Sequence, residues 1–205
     1  MITVYGSASS GNCFKPRLLL AKLGIPFRHV EVSGANGGTR EPAFLRKNPN
    51  GKVPLLELEA GRLLAESNAM LLYFGEGTRF VPEHAFERAL VYQWLFFEQY
   101  SHEPFIAVRR ALFEYPERRA EATPEKLAST LAGGEKALGV MEEQLQRTPF
   151  LAGSTLTVAD LALYAYTHDA EAGGFDLARY AGVSAWLDRV ERDPGHVPIT
   201  WLPEK

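Results

Sequence analysis

Asn48-Pro49-Asn50-Gly51-Lys52-Val53-Pro54-Leu55-Leu56 sets a turn directly against an apolar extended run. Asn, Pro and Gly supply the constrained and left-handed dihedrals of a turn, and Val53–Leu58 then reads as a strand. Ala60-Gly61 turns the chain into a shorter strand at Arg62–Leu64, close enough in sequence for an antiparallel hairpin, and a helix follows at Asn68–Phe74. Upstream, Pro42–Lys47 is a short helix preceded by the flexible run Ser33-Gly34-Ala35-Asn36-Gly37-Gly38. Phe27–Val32 alternates as a strand. Phe14–Leu23 carries Leu18, Leu19, Ala21 and Leu23 on a helix that Gly24 stops, and Ile2-Thr3-Val4-Tyr5 is a first β-prone run. The order is βαβ, α, ββ, α. A helix between the first two strands implies that they pair in parallel, so this segment forms a small mixed sheet.

Beyond Pro82 the β signals stop. Phe86–Tyr100 and Pro104–Glu114 read as helices with a kink between them, and Pro124–Arg147 places Leu127, Leu131, Leu138, Met141 and Leu145 on one stripe. Thr157-Val158-Ala159-Asp160 has the polar first and fourth positions of a capping box, with Asp160 in place of the longer Glu or Gln. Val183–Arg192 is a last amphipathic helix. The expected domains are 1–76, a linker at 77–84, and an all-helical domain at 85–205.

The whole chain has 205 residues, 46% of them hydrophobic, enough to bury a core without disulfides or metal. Lys and Arg number 22 against 25 Asp and Glu, a net charge of −3 with no basic block, which argues against nucleic acid as a partner. The apolar runs fall far short of the ~20 residues that span a bilayer, and the first residues lack a signal-peptide pattern, so no membrane partner and a cytoplasmic location are expected. One cysteine, Cys13, excludes an internal disulfide and a multi-cysteine zinc site. Glu98 and His102 lie four apart, but no third ligand stands at a recognisable spacing, so no metal site is expected.

A βαβ unit, a Val-Pro loop, a hairpin and a helix make an α/β thioredoxin-like N-terminal domain, here followed by an all-α helical bundle domain. Four segments in order, Ser10-Gly11-Asn12-Cys13, Asn48 to Leu56, Glu66-Ser67-Asn68-Ala69-Met70 and Gly153 to Asp160, make the whole chain resemble the cytosolic glutathione transferase family, in a bacterial form with a Ser/Asn-type active site. The resemblance implies glutathione as co-substrate, its conjugation to a hydrophobic electrophile as second substrate, and a twofold homodimer, with glutathione-dependent disulfide reduction or non-catalytic glutathione binding as the alternative functions.

The chemistry of each segment can be stated from its residues. Ser10 and Asn12 lie at a strand-to-helix turn, where unpaired backbone N–H groups and the helix dipole favour an anion. Alone, either residue would simply cap the helix. Beside glutathione they become the candidate catalytic pair: its thiol has a reference pKa of ~8.5, and lowering that by two units needs about 2.7 kcal/mol of differential stabilisation. The resemblance implies a cis Val53-Pro54 bond, which turns the Val53 backbone outward to pair with the cysteinyl part of glutathione, and it places Lys52 near the glycyl carboxylate. Ser67 stands at a helix N-cap, suited to the γ-glutamyl carboxylate, and Glu66 suits the γ-glutamyl ammonium. Arg40, in the Gly-rich stretch, is too loosely spaced to assign. The electrophile is expected against Ser9, Tyr100, His102, Phe105 and Arg109, in a pocket between the domains. The aromatic run Tyr92, Trp94, Phe96, Phe97 and Tyr100 is read as core or subunit contact.

Ser10-Gly11-Asn12-Cys13 has the second cysteine of a thioredoxin Cys-x-x-Cys and lacks the first, which excludes dithiol chemistry within the chain. Cys13 is expected as a buried, inert thiol. Pro16 either sits in the first turn, pushing the helix start past Ser10, or occupies the interior at up to ~3 kcal/mol.

Overall fold

Strand β1 (Ile2–Gly6) runs through a four-stranded sheet of order β2-β1-β3-β4 in the computed structural model, which describes residues 1–203. Helix α1 (Gly11–Lys22) crosses over to β2 (Phe27–Glu31), and the two strands pair in parallel from Ile2 opposite Phe27 to Gly6 opposite Glu31. Helix α2 (Pro42–Lys47) precedes strand β3 (Leu55–Glu57), which pairs antiparallel with β1 and with β4 (Leu63–Ala65); helix α3 (Ser67–Gly75) closes the motif. Val4 and Leu56 face each other in register and share a core with Leu20, Phe27 and Met70. On the sheet, the Tyr5 hydroxyl donates to Glu57 Oε2 at 2.5 Å and Lys47 Nζ meets the same oxygen at 2.5 Å, tying α2 to the strands. The Lys47–Glu57 pair is about one-third exposed, so its contribution is small, ~0–1 kcal/mol.

The helix expected from Phe14 begins at Gly11, with Ser10 as its cap, so Pro16 lies in the interior. Its ring nitrogen has no hydrogen to give to the Asn12 carbonyl, the bond an ordinary residue would supply there. The helix holds regardless, because Cys13, Phe14, Leu18, Leu19 and Leu20 are all essentially inaccessible, and even Lys15 and Arg17 are fully buried.

Residues 194–203 belong to this first unit with Met1–Glu76, where the expected helical domain runs to 205. Arg17 Nη2 donates to the carbonyls of Ala8 at 2.7 Å and Ile199 at 2.9 Å. Trp201 packs edge-on to Phe27 with ring centroids 6.0 Å apart. The second unit spans Gly77–Asp193, and the expected linker is packed into it: Phe80 and Val81 are buried, and the Phe80 carbonyl accepts from Val158 N at 3.0 Å.

In the second unit α4 (Ala85–Phe97) passes through a π-helical turn at Glu98–His102 into α5 (Glu103–Glu114). That extra-residue turn is the physical form of the expected kink. Helices α6 (Pro124–Leu145), α7 (Val158–Thr167) and α8 (Ala181–Arg192) follow. Every residue of α7 is buried, so its start must satisfy its own donors. The capping box does so: Thr157 N donates to Asp160 Oδ2 at 2.8 Å, and the Thr157 hydroxyl accepts from Ala159 N. The shorter Asp reaches because Asp160 Oδ1 also accepts from Leu151 N at 2.9 Å and Trp186 Nε1 at 3.0 Å. Burial pushes the Asp160 carboxyl upward, against these three donors and the Thr157 hydroxyl, which donates to Oδ2 at 3.0 Å. No helix among the described residues is long and apolar enough to cross a membrane.

Candidate functional site

The antiparallel setting of β3 brings three chain segments to one end of the sheet. Tyr5, near the end of β1, faces Leu55 at the start of β3, and Leu55 also faces Ala65 at the end of β4. The loop into α1, the Val53-Pro54 loop and the Glu66-Ser67 start of α3 therefore meet. Gly6 marks the closeness: a Cβ built there would lie 2.6 Å from Cys13 Sγ and 4.0 Å from Pro54 Cα.

Ser10 Oγ accepts the Cys13 N–H at 3.4 Å, the ordinary work of a cap, and the Ser10 hydroxyl also hydrogen-bonds the Cys13 thiol, so donating to a ligand means turning from that sulfur. Asn12 is half-buried, and its Oδ1 accepts the Ser67 hydroxyl at 3.1 Å. With Oδ1 turned to α3, the Nδ2 donor is the part of the Asn12 amide suited to an anion. Ser67 is buried at the first residue of α3, while Glu66 is exposed and adopts a φ of 68°. A non-glycine residue held at positive φ carries ~1–3 kcal/mol of backbone strain, a cost that clusters at functional sites. The Val53-Pro54 peptide bond is cis. Before it, Asn48 Nδ2 donates to the Lys52 carbonyl at 2.8 Å and Asn48 Oδ1 accepts from Asn50 N, so Asn48 sets the turn that presents exposed Lys52. Gly51 sits at φ 61°, and Arg40 Nη1 lies 2.6 Å from where its Cβ would be. Arg40 and Lys52 thus flank one turn.

Cys13 is fully buried, and burial pushes its thiol up to about 11, against opposing hydrogen bonds from Ser10 and Ser7. It stays a neutral thiol at neutral pH.

The residues expected at the electrophile divide. Ser9 is exposed, with Oγ 3.3 Å from Ser7 Oγ, and Tyr100 is 84% exposed. Phe105 is half-buried against Gly133 of α6, where a Cβ would lie 2.2 Å from its ring. His102 and Arg109 turn into the helical unit instead. His102 is inaccessible, with Nε2 2.9 Å from Thr167 Oγ1. Arg109 is 9% exposed and donates to the carbonyls of Gly173 and Leu127, both at 2.6 Å. Helical periodicity places a residue on a face, but the π turn that includes His102 and precedes Arg109 advances that face by an extra residue.

Sequence reasoning passed over Lys15. Its Nζ donates to Ser67 Oγ at 3.4 Å and Asn68 Oδ1 at 3.3 Å, and it is wholly buried. A lysine in the middle of an apolar helical run was the available signal, since such a residue is rarely buried without a purpose-built set of partners.

Comparisons with known proteins bear on the family and the fold. Residues 9–76 match the family model for the glutathione S-transferase N-terminal domain, and residues 120–189 match that for the C-terminal domain. A crystal structure of a glutathione S-transferase from Pseudomonas fluorescens is 50% identical, covers 97% of this chain and 98% of its own, and superposes with a TM-score of 0.93. Glutathione S-transferase 2 of Anopheles gambiae is 32% identical over 91% of this chain and 88% of its own length. Disulfide-bond oxidoreductase YfcG of Escherichia coli is 28% identical over 95% of this chain and 92% of its own.

Proposed function

Because the chain belongs to the glutathione S-transferase family, we propose that it binds glutathione along the end of its mixed sheet and joins it through its sulfur to an electrophilic carbon. The observation that carries the reading is the Ser67–Asn12 hydrogen bond, 3.1 Å long, which joins the first turns of α1 and α3. Two helix N-termini side by side offer separate positions for a thiolate and a carboxylate, the two anionic groups at the reacting and γ-glutamyl parts of glutathione. Lys52, with Arg40 beside its turn, suits the glycyl carboxylate, the Val53 backbone suits the cysteinyl amide, and Glu66 suits the ammonium.

In this reading the Ser10 hydroxyl and the Asn12 amide donate to the sulfur and favour the ionised form. The thiol proton leaves to solvent; the sulfur lone pair forms the S–C bond while the leaving group departs with its electron pair. The chain contributes no covalent nucleophile, so catalysis rests on the lowered pKa and on proximity. Ser9, Tyr100 and Phe105 are the proposed contacts of the electrophile. Phe86, Phe96 and Tyr100, 67%, 74% and 84% exposed on one chain, support a homodimer, which light scattering checks.

The test is the thiolate absorbance of bound glutathione across pH in wild type, Ser10→Ala and Asn12→Ala. Each substitution removes one charge-assisted bond and is expected to raise the bound pKa by about one unit. An unchanged value in both overturns the assignment. The likeness to a disulfide-bond oxidoreductase favours a second reaction of the same site. There the thiolate attacks a disulfide sulfur and expels the other sulfur as thiolate, and a second glutathione releases oxidised glutathione. Turnover of a mixed disulfide, with none of an aryl halide, would favour that reading.

A further inference from the structure

Arg17 of α1 is fully buried, and its guanidinium uses one nitrogen: Nη2 gives one proton to the Ala8 carbonyl at 2.7 Å and the other to the Ile199 carbonyl at 2.9 Å. Among the described residues Nε and Nη1 meet no acceptor. A buried cation with unanswered donors costs stability, and an apolar side chain of similar length would pack there at less cost. Stability therefore does not account for Arg17, and its gain has to be sought at the groups it holds. Ala8 belongs to the turn Ser7–Ser10, which closes with the Ser10 N–H on the Ser7 carbonyl at 3.3 Å, and Ser10 ends that turn and caps α1. From the last residue of β2, Glu31 Oε2 accepts the Ala8 N–H at 3.2 Å. A carboxylate thus holds the N–H of Ala8 and a guanidinium its carbonyl, and both bonds are of the charge-assisted, stronger class.

We propose that Arg17, with Glu31 opposite it, is a positioning residue for thiol activation: the two clamp the backbone of Ala8 and so fix the turn that aims the Ser10 hydroxyl at the glutathione sulfur. This rests on the glutathione reading above. The need for a fixed backbone comes from Ser10. Its hydroxyl bonds the Cys13 thiol and has to turn to reach a ligand, and a hydrogen bond weakens steeply with misalignment. Only the side chain can be allowed to move. The clamp refers the turn to two elements at once, because Glu31 stands on β2 and Arg17 on α1. The second Nη2 bond, to Ile199, holds the guanidinium itself against the C-terminal stretch, which Trp201 seats on Phe27 of the same strand as Glu31. Being inaccessible, Arg17 acts through the turn and not on a ligand.

The experiment follows the thiolate absorbance of bound glutathione across pH in wild type, Ser10→Ala, Asn12→Ala, Arg17→Gln, Glu31→Ala and the double variant of Ser10→Ala with Arg17→Gln. Arg17→Gln should raise the bound thiol pKa by about half a unit to one unit, and by no more than Ser10→Ala does. Its Kd for glutathione, measured by calorimetry at a pH below the bound pKa, should change less than about threefold. Glu31 is exposed, so Glu31→Ala should fold as wild type does; it should shift the pKa the same way by a smaller amount, and serves if the Arg17 variant folds poorly. In the double variant Arg17→Gln should add nothing to Ser10→Ala, since the hydroxyl it positions is gone. A full further shift there would mean that the guanidinium charge acts on the sulfur directly, and overturns the proposal. So does an unmoved pKa in both Arg17→Gln and Glu31→Ala beside a shift in Ser10→Ala, with a lowered melting temperature as the whole effect of Arg17. No shift in Ser10→Ala or in Asn12→Ala overturns the thiolate reading itself, and the role of Arg17 with it.

Discussion

Replacing Gly6 with alanine puts a methyl group where strand β1 and helix α1 leave no space. The new Cβ would lie 2.6 Å from Cys13 Sγ and 2.9 Å from Cys13 Cβ. Carbon atoms at rest sit about 3.5–4.0 Å apart, so roughly 1 Å of separation has to be found. Cys13 is fully buried among close-packed neighbours, and the first turn of α1 must shift as a piece. Overpacking of this kind costs about 1–3 kcal/mol. Because the displaced turn carries Ser10 and Asn12, the bound thiol pKa should rise with it. Urea unfolding of wild type, Gly6→Ala, Cys13→Ala and the double variant isolates the cause. Cys13→Ala alone should cost about 1 kcal/mol for the lost sulfur. In the double variant the sulfur overlap is gone and only the Cβ contact remains, so it should be more stable than the sum of the single effects by about 1 kcal/mol or more. Additivity within about 0.5 kcal/mol at equal urea dependence would refute this reasoning, since the two sites would then not be in steric conflict.

The Cys13 thiol sits near 9 when unperturbed and is pushed up to about 11 by burial, so it contributes stability that is whole below pH 9 and lost as pH rises toward 11. The loss is at most about 2.7 kcal/mol, and Cys13→Ala should show a shallower decline over that window; parallel thermal melts of both proteins across pH 8–11 would contradict it. Arg109→Leu strands the carbonyls of Gly173 and Leu127, and should destabilise the helical unit by about 2–4 kcal/mol. If it instead raises KM for the electrophile with no change in melting temperature, Arg109 serves the substrate and not the fold.

Much of the fold was legible because its causes are local. Pro42–Lys47 forms a helix over the span read from the sequence, for a proline opens it and basic residues close it. Thr157 and Asp160 form the capping box that their spacing announces. The strands were found with their ends displaced by one or two residues, since pairing partners decide where a strand ends. The site was legible as a set of short motifs: Ser10 caps α1, as a serine before a helix implies, whereas Ser67, read as the cap of α3, is its first residue and Glu66 holds the cap position, and the cis Val53-Pro54 bond was implied by the family resemblance alone.

What tertiary structure decided is what depends on partners far away in the chain. Lys15 meets Ser67 across 52 positions and Arg17 meets Ile199 across 182, so the neighbouring sequence does not name the partner of either residue. The same distance hides the return of the C-terminal stretch to the first unit and the lack of room at Gly6. The π turn redirected His102 and Arg109, because one extra residue per turn breaks the periodicity from which a face is read. By itself the sequence determined the order of elements, the absence of a second cysteine and the anion-favouring helix starts. Which side chains those starts hold, and which cation stands behind them, followed only from packing, where contact is set by distance in space.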